Sequence, residues 1–151
     1  MSDSKTDRFH QLSKLLRTEL DAENHDRAQA LAQEYLTLAE TRTDDWNYGN
    51  AIHHAHTALG RIALRQNDVA TAKMHLLAAG ATPGSPQLRS FGPTFSLAAP
   101  LLQRGETEAV LRYLDQVQDF WMWWFSWWRL RRWRRVVRRG EVPKSWTNWP
   151  Y

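Results

Sequence analysis

The sequence predicts an all-α fold, a short array of antiparallel helix hairpins closed by a C-terminal helix rich in Trp and Arg. Three observations lead there. Residues 50–80 read as two helices folded back on each other about Asn67-Asp68. Apolar stripes at spacings of three and four recur before and after that hairpin, as single helix faces demand. The chain then changes character, with FWMWWFSWW over 120–128 and RLRRWRRVVRR over 129–139.

At 151 residues the chain is long enough for one continuous core. Residues 1–119 form the hairpin region, and 120–151 a capping or interaction segment of the same domain. Hydrophobic residues at 42% and charged residues at 24% are ordinary for a globular protein, so a packed core is expected. The absence of cysteine rules out disulfides and thiolate metal sites and fits a reducing compartment. The polar start MSDSKTDRFHQ has no apolar stretch of the secretory kind, so a cytoplasmic location is expected. Charge is uneven: seven Arg and Lys144 against Glu141 give 120–151 a net +7, which leaves −3 for the first 119 residues of a chain at +4.

The elements follow in order. Phe9, Leu12, Leu16 and Leu20, widened by Leu15, predict an amphipathic helix over 6–20. After the polar turn at 21–24, Ala28, Leu31, Ala32, Tyr35, Leu38 and Ala39 supply the second stripe of a first, degenerate hairpin. The next helix is expected from about Asp44, capped by Thr43 or Asp44 and anchored by Trp46. Ala55, His56, Leu59, Ile62, Ala63 and Gln66 mark its face, and Val69, Ala72, Leu76 and Ala79 mark the returning helix, with Gly80 as its C-terminal cap. Gly60 and Ala72 are expected to face each other and let the two axes approach. Pro and Gly in 81–93 predict an irregular loop, with Pro93 opening the next helix. Phe95, Leu97, Leu101 and Leu102 belong to that helix, kinked at Pro100. Gly105 makes a turn, and Val110, Leu114 and Val117 return. In the tail, Leu130, Trp133 and Val137 form a buried stripe, Gly140 ends the helix and Val142-Pro143 opens an irregular end.

Residues 50–80 resemble the tetratricopeptide (TPR) helix-turn-helix. Leu59-Gly60, Ala63, Asn67-Asp68, Ala72, Leu76 and Ala79 fall on its pattern; His56 stands where it prefers Trp, and Pro83 lies one residue before its usual proline. The run TPGSPQLRSFGP is similar to one in a group of bacterial TPR-like proteins, a likeness covering roughly the last two thirds of the chain and bringing no activity with it. Those proteins end in a short aromatic-containing helix and a G-x-[IV]-P turn, matched by Gly140 to Pro143. The resemblance implies a short right-handed TPR-like solenoid, with about three stacked units as the minimum for stability, acting as a non-enzymatic module that binds a protein or peptide partner.

The resemblance places His54, Thr57, Arg61 and Arg65 on the concave, ligand-facing side, where two Arg one turn apart can hold a carboxylate or a peptide C-terminus. The competing reading is a solvated helix face. His53, His54, His56 and His75 invite a metal reading, but no carboxylate lies near them on their helix, so structural roles are expected and no cofactor is assigned. The tail admits three readings. Trp121, Trp124, Trp128, Leu130 and Trp133 can close the core. Alternatively, Trp123, Trp124, Trp127, Trp128, Arg131 and Arg135 can meet an anionic membrane surface, or contact nucleic acid, the least favoured partner. Five Trp within 121–128 exceed what one face can bury, so Trp121 and Trp133 are expected inside and part of the 123–128 cluster outside. No phosphate loop, nucleophile elbow or suggestive carboxylate pair is present, so no enzyme is predicted. Nothing in the sequence sets the oligomeric state.

Overall fold

A computed structural model describes residues 2–122 and 124–147, with side chains from Arg8 onward. Among them the chain is all helical: α1 (Ser2–Asp21), α2 (His25–Glu40), α3 (Tyr48–Arg65), α4 (Val69–Gly80), α5 (Pro86–Phe91), α6 (Ala98–Gln103), α7 (Thr107–Phe120) and α8 (Ser126–Arg138), then a 3-10 turn at Lys144–Trp146. Helices α1, α2, α3 and α4 pack each on the next, α4 packs on α6 and α7, and α7 on α8.

Three of the connections are one structure repeated. At each, a residue with positive φ follows the helix: Glu23 (56°), Asn67 (62°) and Gly105 (86°). Its N–H donates to the carbonyl three residues back, and the next N–H reaches five back, as in Glu23 to Leu20 and Asn24 to Glu19, or Asn67 to Leu64 and Asp68 to Ala63. That paired bonding satisfies the carbonyls left open at a helix end. Asn24, Asp68 and Glu106 then cap the returning helix with similar backbone angles. Counting from these caps, Ala28, Ala72 and Val110 are buried at the same offset, and so are Ala32, Leu76 and Leu114.

Several expectations need correction. Helix α3 starts at Tyr48, not Asp44: Asp45 accepts the Asn47 N–H at 2.8 Å, holding 45–47 in a turn, and Trp46 is exposed, stacked on His10. Gly80 is the last residue of α4 and not a positive-φ cap; a Cβ there would meet Gln116 and Tyr113 of α7. At Gly60 the closest approach is to Leu97 and to the Cβ of His75 on α4, nearer than to Ala72. The 81–93 loop contains α5, whose N-cap Ser85 accepts the Leu88 N–H at 3.0 Å with Pro86 in the first turn. Pro93 precedes an irregular stretch, and α6 opens at Ala98. Pro100 therefore sits in the first turn of α6, where no N–H is needed and no kink follows.

Buried apolar side chains form two clusters. One joins α1, α2 and α3 through Phe9, Leu12, Leu16, Tyr35 and Ala55. The other joins α4, α6, α7 and α8 through Leu76, Phe95, Leu101, Leu114 and Leu130. A buried polar chain crosses between the elements. Asn47 donates to the Tyr35 hydroxyl, Asn50 to Asn47, and Ser85 to Asn50 at 2.6 Å.

Candidate functional site

The C-terminal turns of α1, α3 and α6 converge on a cavity of about 460 Å3. Leu20, Ile62, Leu64 and Pro100 give it apolar walls, and Arg61, Arg65, Arg104, His25 and Glu23 give it charge or polarity. Arg65 is ion-paired with Glu23 across the mouth. Arg104, just past α6, donates to the Asn67 side chain and to the Leu64 carbonyl, which fixes its guanidinium against the α3–α4 turn. Arg61, one turn before Arg65, is half-buried and has neither a hydrogen bond nor an ion pair among the described residues. A partly desolvated guanidinium without a partner is unfavourable unless something else satisfies it. Its planar fork matches a carboxylate, which it can take bidentately.

Of the four residues expected on this face, Arg61 and Arg65 meet at the cavity. Thr57 does not: it is buried, and its hydroxyl donates to the His53 carbonyl at 2.7 Å, so it offers nothing to a ligand. His54 is also absent from the lining. It is half-buried edge-on to His53, and burial, with the Arg17 charge, lowers its pKa to about 4. Arg104 went unrecognised in the sequence. The available signal was its place beside Gly105, a turn equivalent to the one at Asn67.

His53 has no spare nitrogen. Its Nδ1 lies 3.1 Å from the Ala79 carbonyl, to which it donates, and its Nε2 accepts the Thr94 N–H at 3.1 Å. Tyr113 donates to the Thr94 carbonyl at 2.8 Å, so α3 and α7 hold one residue of the 92–97 stretch, Thr94, by its N–H and its carbonyl. Burial lowers the His53 pKa to about 3. His56 and His75 face each other, Nδ1 to Nδ1 at 3.0 Å, a contact that needs a proton on one ring and a lone pair on the other. Burial lowers both pKa values, that of His56 to about 4 with help from His75. Among the described residues no group of three or more His, Asp or Glu is placed to hold a metal ion.

In the tail, Trp121 and Trp133 are buried. Trp146, expected in an irregular end, is buried too, stacked on Phe95 with centroids 4.4 Å apart. Trp124 and Trp128, candidates for closing the core, are instead exposed, as is Trp127. The helical period explains the last two: Ser126, Leu130, Trp133 and Val137 take the inward face of α8, leaving Trp127 and Trp128 off it, while Trp124 lies in the turn before the helix. Arg131 lies over the Trp127 ring, 5.6 Å from its centroid, and Arg135 is exposed. Trp123 lies outside the described residues.

In comparisons with known proteins, no family model matches the sequence, and neither a curated protein nor a solved structure matches the chain. No helix among the described residues is long and apolar enough to cross a membrane.

Proposed function

We propose that the protein is a TPR-like, non-enzymatic interaction module whose cavity takes the C-terminal carboxylate of a protein or peptide partner. The observation that carries this reading is Arg61, half-buried and unpaired between the anchored Arg65 and Arg104. The three equivalent hairpin turns support a repeat array, and the first helix of each hairpin contributes to the cavity wall, as a shared ligand-facing side would require. The apolar walls suit the last side chains of a peptide, and the arginines suit its terminal charge.

Selection from a peptide library with free C-termini tests the proposal. Selected peptides should lose roughly tenfold or more in affinity when amidated, and as much against Arg61→Ala, since a hydrogen bond to a charged group contributes about 1.5–3 kcal/mol. Arg61→Ala should leave the melting temperature unchanged or slightly raised, because the side chain removed has no partner within the fold. Binders indifferent to both amidation and the substitution would refute the carboxylate reading.

A further inference from the structure

We propose that the outer face of α8, with the turn before it, is a docking surface for an anionic lipid bilayer. At the start of α8, Met122, Trp124 and Trp128 are 72%, 76% and 65% exposed, with Phe125 and Trp127 about half exposed. Trp124 packs on Phe125 and Trp127 on Trp128, with ring centroids 4.5 and 4.7 Å apart, and exposed apolar side chains gathered within seven residues and flanked by charge are what an interaction surface presents to solvent. From it two stripes run down the helix: Trp127, Arg131, Arg134, Arg138, and beside it Trp128, Arg132, Arg135, Arg139. Each begins with an indole and continues in guanidinium groups.

The charge on this face is largely unneutralised. Helix α8 holds no acidic residue; Arg134 pairs with Asp115 at 3.0 Å and Arg139 with Glu141 at 3.8 Å. Arg131, Arg132, Arg135 and Arg138 have no carboxylate partner among the described residues. Guanidinium groups beside indoles match the two layers of a bilayer surface, phosphate outside and the acyl boundary beneath. At 13 residues α8 is about 20 Å long, which suits lying on the surface and not crossing it. Met122 and Phe125 have no hydrogen-bonding side-chain group and gain most from an apolar boundary, which favours lipid over a nucleic acid. A second copy of the chain would set the same arginines against one another. The surface uses none of the cavity residues, so the two proposals stand or fall separately.

Flotation of the full chain tests it, with vesicles of phosphatidylcholine alone or with roughly one third phosphatidylglycerol, and brominated lipid as a short-range indole quencher. The chain should bind the anionic vesicles at least about tenfold more tightly, lose part of its Trp emission to brominated lipid, and be weakened by salt without full release. Trp124→Ser/Trp128→Ser should keep the wild-type melting temperature while losing the quenching and about tenfold or more in binding. Arg131→Gln/Arg135→Gln should lose roughly fivefold per charge removed, on anionic vesicles alone. No binding to anionic vesicles, or binding unchanged in the Trp variant, overturns the proposal. So does tighter capture of an oligonucleotide that both variants lose, or a dimer in buffer that the Trp variant dissolves.

Discussion

His53 can hold the Ala79 carbonyl and the Thr94 N–H together only as a neutral ring protonated at Nδ1. Protonating Nε2 would set a donor against a donor inside the protein. His54, His56 and His75 are held neutral by burial as well, so the four act in the same direction. Their folded pKa values lie below the ordinary 6.5, so the unfolded chain binds more protons as pH falls. The stability these histidines contribute is therefore complete above pH 6.5 and declines from there toward about 4 for His54 and His56 and about 3 for His53, with a limiting slope of about 1.4 kcal/mol per pH unit for each histidine. Urea denaturation at stepped pH reads that slope, and His54→Gln should flatten it. A profile level from pH 7 to 5 would contradict the buried-neutral assignment. The carboxylates of Glu34, hydrogen-bonded to Arg8, and Asp68, capping Thr71, have lowered pKa values and add the same sign at lower pH.

At the scale of elements, the close approaches are made by glycine, and they differ in what a methyl group would meet. A Cβ on Gly49 would fall 1.8 Å from the Gly84 carbonyl oxygen, backbone that cannot step aside while Thr82 donates to the Gly49 carbonyl at 2.7 Å. On Gly60 the nearest atoms are the flexible end of the Leu97 side chain and, at 3.1 Å, the His75 Cβ, which must give by only a few tenths of an ångström. Gly49→Ala should thus destabilise by roughly 3 kcal/mol or more, whereas overpacking in Gly60→Ala is partly offset by about 1 kcal/mol of helix preference. Melting temperatures give the order, and equal losses would contradict the packing described. The same scale separates what the sequence discloses from what it conceals. Asn67-Asp68 and Gly105 announce their turns because those residue types tolerate the left-handed backbone or cap a helix. Arg61 and Arg65 disclose their shared face by lying one turn apart. The start of α3 is concealed, since the 45–47 turn depends on Tyr35 and Phe9 receiving Asn47 from other helices. Trp146 is concealed for the same reason, since its partner Phe95 is distant in sequence, and Arg104 is disclosed only by its place beside the Gly105 turn, its partner Leu64 being distant too.

Over the whole molecule, the two apolar clusters meet in one helix. Ala51, Ala55, Ala58 and Ile62 of α3 belong to the first, and Ala63 and Leu64 of the same helix to the second. The polar chain from Asn47 through Asn50 to Ser85 runs along its N-terminal end, and His53 ties its middle to Ala79 and Thr94. Neither cluster can come apart without stripping a face of α3 that the other needs in place. An array whose units touch only their neighbours can melt piecemeal from its ends, but here the central helix couples the halves. Scanning calorimetry should accordingly record a single heat-absorption peak, its calorimetric enthalpy equal to the van't Hoff value. Two resolved peaks would mean that the halves unfold independently and that α3 belongs, in energetic fact, to only one of them.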